Sequence, residues 1–387
     1  MNPLVRTLAP AALALCALAA PAAAQQETAA FVVRLGDDTV SVEQVVRDGA
    51  TLRGTMVGPS PRTTMREYVA TLRPDGTLEG MTVTTRALAE PDAPPQTITY
   101  ALAGDSAEVV VRRGDEVRTL RAAADAGVFP YVFNVWGITE HIVRWTRGRG
   151  DAVEAPILML GAREVSTLPV ARLGADSVLV TTFAGPARVA VDADGRILGA
   201  TSPQSTAKFD VQRLPNADVQ AVADAWLARE RTRGAVGTLS PRDSVVAHGV
   251  GAAVSVAYGR PSMRGRQVMG GIVPYGQVWR TGANEATRFV TDRDLWFGDV
   301  RIPAGTYSLW TVPGPERWEI VFNRQSGQWG TQHDPADDFA RVPATARPAQ
   351  GPPVEQFTIR IVPLCEGGAL ELSWDRVVVE APFVPAS

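Results

Sequence analysis

The sequence predicts an all-β, mainly antiparallel protein: an N-terminal curved sheet with one packed helix, a helical linker and a C-terminal β-sandwich. Three observations predict it. Apolar and polar residues alternate with period two through short stretches such as Thr39-Val40-Ser41-Val42 and Met81-Thr82-Val83-Thr84, the pattern of half-buried antiparallel strands. Turn-forming residues punctuate those stretches. Helical spacing of apolar residues stands out in two places, one in the first domain and one in the linker. With 387 residues, 45% of them hydrophobic, the chain can bury two cores.

At the N-terminus, Arg6 precedes an Ala- and Leu-rich run from Leu8 to Ala20, followed by Pro21 and Ala22-Ala23-Ala24. This reads as a secretory signal, residues 1–24, cleaved after Ala24, with an apolar core too short to span a bilayer. The mature chain is therefore expected to be periplasmic or secreted, with no transmembrane segment. Cys16 follows Leu15, which argues against lipidation. Cys365 is then the only cysteine left, and no intrachain disulfide can form. The net charge of −3 offers no footprint for nucleic acid. Lys208 is the only lysine, which excludes a P-loop and argues against Schiff-base chemistry.

The first domain, residues 25–214, carries further alternation at Arg188-Val189-Ala190-Val191 and turns at Arg73-Pro74-Asp75-Gly76, Gly104-Asp105-Ser106, Arg113-Gly114-Asp115 and Asp192-Ala193-Asp194-Gly195. The last lacks the spaced acid of a calcium loop and is read as a hairpin turn. Between Tyr131 and Thr146, Val135, Ile138, Ile142 and Trp145 fall at helical spacing, and Arg147-Gly148 stops the run. His141 on this helix is expected to be a hydrogen-bonded structural group. A sheet wrapped round one helix loosely resembles the envelope lipoprotein-carrier and lipocalin-like sheets, whose concave faces hold apolar ligands. In the linker, residues 215–238, Asn216 is placed to cap a helix bearing a stripe of Val219, Val222, Ala223, Trp226 and Leu227, packed between the domains and ending near Gly234.

The second domain, residues 239–385, shows short strands at Val245–Val250, Ala253–Tyr258, Thr287–Thr291, Leu295–Arg301, Thr306–Val312, Trp318–Asn323, Phe357–Val362, Ala369–Trp374 and Val377–Val379, which suit a sandwich. Its tryptophans read as core, with Trp310 and Trp329, beside turns, the candidates for a binding surface. The run YGRPSMRGRQVMGGIVPYGQVWRTGANEAT, followed by IPAGTYSLWTVP, RWEIVFNRQSGQWG and DPADDFARV, resembles the bacterial family known as domain of unknown function 2911, over residues 240–382. The resemblance implies an exported bacterial protein and supplies no reaction, cofactor or substrate.

The chemistry-bearing stretch is the long connection Tyr258–Thr287. Arg260, Arg264, Arg266 and Arg280 surround Glu285, with Asn284 beside it. Arginine forks match carboxylates, so Glu285 is expected to pair with Arg266 or Arg280 and pin the loop, and the surplus arginines are candidates for an anionic ligand. A second cluster, His333-Asp334-Pro335-Ala336-Asp337-Asp338, lies near Asn323, Trp329 and Arg341. If the chain is a hydrolase, Glu285, His333 and Arg280 are the candidate catalytic groups, meeting across the sandwich edge. His141, His248 and His333 have no metal-ligand spacing, no G-x-S-x-G elbow is present, and no metal or cofactor is expected. The leading expectation is non-catalytic binding of a small molecule, glycan or envelope partner. The alternatives are a hydrolase acting on a sugar or ester, and a structural scaffold.

Overall fold

The computed structural model describes residues 26–103, 105–124, 127–159, 162–182, 185–202 and 207–386. The signal-like segment with Cys16, and Gly104 of one expected turn, lie outside the described residues. Strands dominate, so the all-β expectation holds.

The first eight strands are β1 (Glu27–Leu35), β2 (Asp38–Asp48), β3 (Thr51–Gly58), β4 (Thr64–Leu72), β5 (Leu78–Ala87), β6 (Gln96–Ala103), β7 (Ser106–Arg113) and β8 (Glu116–Ala123). They form a meander in which each strand pairs antiparallel with the next. After β9 (Phe129–Tyr131) and helix α1 (Trp136–Thr146), the chain returns through β10 (Ala152–Met159), β11 (Ser166–Arg172), β12 (Ser177–Thr182), β13 (Gly185–Val191), β14 (Ile197–Thr201) and β15 (Phe209–Leu214). Strand β15 pairs with β1, so both runs belong to one sheet whose edges are β8 and β9. Short hairpin turns make this order natural, because successive antiparallel strands need only a few residues between them. The turn after β4 is held by Asp75, whose Oδ1 accepts from the Thr77 N–H at 2.9 Å and its hydroxyl at 2.7 Å. Asp192 Oδ1 likewise accepts from the N–H groups of Asp194 and Arg196, which makes that motif a hairpin turn.

Helix α1 lies in the concavity of this sheet. Ile138, Ile142, Val143 and Trp136 share one core with Phe31 and Val33 of β1, Tyr68 of β4 and Val189 of β13. A surface helix buries one stripe, whereas this helix is buried on nearly every side. The concave face that the carrier-like resemblance would reserve for an apolar ligand is thus taken by the protein's own helix. The helix also begins later than its spacing predicts. Tyr131 belongs to β9, and the N-cap, Val135, has no side chain able to cap.

The missing cap comes from another strand. Glu43 of β2 is 1% exposed; its Oε2 accepts from the Trp136 N–H at 2.7 Å, and Oε1 from the Gly137 N–H at 3.2 Å and the Tyr68 hydroxyl at 2.6 Å. Those two amides are among the donors that a helix start leaves without partners. Burial pushes the Glu43 carboxyl up to about 7, although its three donors pull the other way. His141, one turn on, lies with Nδ1 3.0 Å from Arg47 and Nε2 2.8 Å from the Gly76 carbonyl. Burial, aided by Arg47, pulls its pKa down to about 4. It is the hydrogen-bonded structural histidine expected from the sequence.

Helix α2 (Val219–Arg233) is capped by Asp218, not Asn216: the Asp218 carboxylate accepts from the Ala221 N–H at 2.9 Å. Of the expected stripe only Val219 and Ala223 are buried, against Val42 and Val57 on the outer side of the first sheet. Its Glu230 accepts from the Thr63 N–H at 2.7 Å. The helix therefore packs on the first sheet, and the region following it is tied there by the Gly237 N–H to Pro61 O bond of 2.8 Å.

The second sheet contains β16 (Arg242–Ala247), β17 (Val254–Gly259), β18 (Thr287–Thr291), β19 (Leu295–Phe297), β20 (Val300–Ile302), β21 (Gly305–Val312), β22 (Arg317–Asn323), β23 (Asp338–Pro348), β24 (Val354–Pro363), β25 (Gly368–Asp375) and β26 (Val377–Pro385). Where a sandwich was expected, the hydrogen bonding runs continuously through all eleven strands. The sheet curls so far that the segment after β17 meets β24, with the Phe357 N–H donating to Pro261 O at 2.9 Å. The result is a nearly closed barrel. Trp318, Ile320 and Phe322 alternate into its core, as their even spacing predicts, together with Trp279 and Trp374. Strand β23 is the one the sequence hides. Pro343 and Pro348 interrupt it, and its few β-branched and aromatic residues, Phe339, Val342 and Thr345, are scattered among Ala and Arg, so they form no continuous strand signature.

Candidate functional site

Residues 260–286 join β17 to β18 without regular structure, and backbone bonds hold this connection in place. Its arginines are committed. Arg260 donates to Asp243 at 3.1 Å, to the Phe357 carbonyl at 3.1 Å and to the Thr358 hydroxyl at 2.9 Å, which fastens the barrel seam. Arg264 forms an ion pair with Asp38 of the first domain, and its carbonyl accepts from the Asp37 N–H at 3.2 Å. Arg266 donates to the carbonyls of Ala207 at 2.6 Å, Ser262 at 2.6 Å and Met263 at 2.9 Å. Arg280 donates to the Asn284 carbonyl at 3.3 Å, and burial pulls its pKa down to about 10.

The expected pairing of Glu285 with Arg266 or Arg280 does not occur. Glu285 forms its ion pair with Arg242 of β16, and both side chains are about half exposed. The reason is topological: β16 lies beside β17 and brings Arg242 to the end of the loop, while Arg264 and Arg266 turn toward the first domain. The loop is a clasp, but it is closed by carbonyls and Asp38, and its arginines are no longer a surplus awaiting an anion. Glu285→Ala is expected to change the unfolding free energy by less than about 1 kcal/mol, as for other exposed pairs. Arg266→Met should cost about 2 kcal/mol, because three carbonyls lose a charged donor. Urea denaturation of both variants compares the two; a Glu285 variant hurt more than the Arg266 variant would reverse this assignment.

The other expected residues gather on the outer face of β21–β23. Ser308 and Trp310 share that face with their cross-strand partners Asn323 and Val321. Trp310 is 2% exposed and packs with Ala286 and Val321 in a small cluster apart from the barrel core. The segment between β22 and β23 folds over it. His333 lays its ring against Trp310, centroids 4.8 Å apart, and its Nε2 sits 2.8 Å from Asp338 Oδ1. Asn323, fully buried, donates to the same oxygen at 3.0 Å and to the Asp334 carbonyl at 2.8 Å. Arg341 bonds Asp338 Oδ2 at 3.2 Å and Glu319 at 3.1 Å. Burial raises the Asp338 pKa, but the donors Asn323, His333 and Arg341 outweigh it and hold the group below its ordinary value.

Two residues that sequence reasoning did not single out complete the cluster. Ser308 accepts from the Trp310 indole N–H at 2.9 Å and from Gln328 Nε2 at 2.9 Å. Gln328 is 9% exposed, and its Oε1 is buried with no hydrogen-bond partner. Trp329, next in sequence, is 41% exposed and pairs through its backbone with Glu285. Arg280 packs against Gly330, whose N–H donates to the Asn284 carbonyl at 2.8 Å. Glu285, Arg280 and His333 therefore all border the segment 328–333. Glu285 and His333 share no ion pair or hydrogen bond: each carries its own partner, Arg242 or Asp338. Only an alternation count placing Ser308 and Trp310 on the same side as Asn323 could have flagged this face in the sequence.

Among the described residues no group of three or more His, Cys, Asp or Glu side chains gathers to hold a metal, and no helix is long and apolar enough to cross a membrane. No curated protein matches the chain. A solved structure of a DUF1089 family protein from Pseudomonas aeruginosa is similar to part of it, at 17% identity over 42% of this chain and 90% of that one, with a TM-score of 0.29. Residues 240–383, the C-terminal domain with its arginine clasp and its Trp310–His333 face, match the family described as Protein of unknown function (DUF2911), and this domain belongs to it.

Proposed function

We propose that the chain is an exported, non-catalytic binding protein that holds a small ligand against the Trp310–His333 face of its C-terminal domain. The observation that carries this reading is the orphaned Gln328 Oε1. A buried acceptor without a donor costs about 1–3 kcal/mol, and such a cost at a surface-adjacent cluster is explained if a ligand supplies the donor. Trp329, the next residue in the chain and 41% exposed, is the candidate for apolar contact area. Export is supported by the signal-like run from Leu8 to Ala20.

Thermal melts of the mature protein against a library of sugars, amino acids and small organic acids test the reading. A ligand at about 100 times its Kd should add about 2.7 kcal/mol. Trp329→Ala is expected to remove that gain while leaving the unliganded melting temperature within about 1 °C, since the side chain is exposed. A library that shifts nothing, or a shift untouched by Trp329→Ala, overturns the proposal.

A second reading, a hydrolase, is favoured by one observation: Asp338 orients His333 as a carboxylate orients a general base. It requires turnover of a sugar ester or glycoside that disappears in His333→Ala, with the Trp329→Ala variant affected in KM more than in kcat.

A further inference from the structure

We infer that the ligand of this face is an uncharged, hydroxyl-rich molecule, a saccharide in chemical class; the inference rests on the binding reading above. The Asp338 carboxylate can only accept, so the proton of a neutral His333 imidazole sits on Nε2, which donates to Oδ1 at 2.8 Å. Its Nδ1 is then a lone-pair acceptor and makes no hydrogen bond among the described residues. Gln328 Oε1 is a second acceptor without a donor. Both side chains lie against the same indole: His333 against the Trp310 ring, and Gln328 at its N–H edge through Ser308. The face therefore asks its ligand for donors.

Charge narrows the class. An anion brings acceptors only, and the nearby cationic groups Arg341 and Arg242 already hold Asp338, Glu319 and Glu285. An ammonium group brings donors, but it needs a carboxylate to hold its charge, and Asp338, Glu319 and Glu285 are already held by Asn323, His333, Arg341 and Arg242. A neutral polyol meets both conditions. Its hydroxyls donate to Gln328 and His333, and the C–H face of a sugar ring covers the exposed Trp329 indole, an aromatic surface suited to it.

The test is a glycan microarray carrying neutral, uronic, sialylated and sulfated glycans, probed with the full mature protein, followed by calorimetry on the hits. Neutral glycans are expected to bind. Affinity should fall at least about tenfold in Trp329→Ala and in Gln328→Leu, which keeps the side-chain volume while deleting the acceptor. A Gln328→Leu variant that fails to fold leaves Trp329→Ala and His333→Phe to carry the measurement. Binding confined to acidic glycans overturns the ligand class and leaves the binding face standing. So does a melting shift given only by amino acids or organic acids. Neutral-glycan binding unaffected by all three substitutions places the sugar elsewhere and overturns the inference. No binding to any glycan or library compound removes both the inference and the reading beneath it.

Discussion

Glu43→Ala is expected to destabilise the first domain by about 3 kcal/mol at mildly acidic pH, combining unmet buried donors with a small void. The Tyr68 hydroxyl and the amides of Trp136 and Gly137 all point at this carboxyl, and Ala offers none of them an acceptor. Glu43→Gln keeps the volume but turns an NH2 toward donors, so a cost of about 1–2 kcal/mol is expected. The pH dependence separates the titrating carboxyl from mere volume. The carboxyl's folded value is raised from 4.5 to about 7, so its contribution is fully present below 4.5 and is lost as pH rises through 7. The penalty of Glu43→Ala should therefore shrink between those limits. His141 runs the opposite way. Its value is lowered from 6.5 to about 4, so its contribution is full above 6.5 and is lost as pH falls through 4. Urea melts across this range measure both. A Glu43→Ala penalty that grows with pH would show the three donors outweighing burial and contradict the raised value.

Gly54→Ala should cost about 3 kcal/mol, the upper range for overpacking. Gly54 faces Tyr68 across the β3–β4 ladder, and a Cβ built there would overlap the phenol ring at Cε1, Cζ and the hydroxyl. Ordinarily an aromatic ring could swing aside. Here its hydroxyl is bonded to Glu43, and a Cβ on Gly137 would also strike it, so the ring is confined from two sides. Combining Gly54→Ala with Tyr68→Leu relieves the overlap. The double variant is expected to be less destabilised than the sum of the single ones, by 1 kcal/mol or more in a double-mutant cycle (~1 kcal/mol being typical for contacting residues). Additive costs would show that Tyr68 is free to move.

These two positions show how a sequence can be read correctly for its elements and still conceal what joins them. The period-two runs located β2, β5 and β13, and the period of α1 was visible from Ile138 and Ile142. Its start was not, because the cap is Glu43, more than ninety residues earlier, and helix-capping rules inspect only neighbouring residues. Asp218 displaced Asn216 as the cap of α2 by the same local uncertainty of helix ends. Strand β23 went unseen because Ala344 and Pro343 carry little strand preference, yet β22 and β26 flank it and supply its ladder on both sides.

The candidate site divides in the same way. Trp310, Asn323, His333 and Trp329 could be singled out by residue type and position, and the structure brings the first three to one face, with Trp329 exposed in the segment that folds over it. Glu285 and the clasp arginines were given the wrong partners, since a charge-count within one loop says nothing about Arg242, Asp38 or the carbonyl of Ala207. Ser308 and Gln328 carry no chemical signal until the sheet register aligns Ser308 with Asn323.

By itself the sequence determined the strand-rich character of the chain, its principal turns, its two helices and the family of its C-terminal domain. Those properties follow from local periodicity, turn chemistry and motif order, which are written along the chain. Only the tertiary structure decided that α1 fills the first sheet, that the second sheet curls into one nearly closed barrel, and that the arginines clasp the first domain. It also left Gln328 Oε1 buried beside Trp310. Each of these depends on which distant groups compete for the same donor, acceptor or volume, and that competition exists only once the chain is folded.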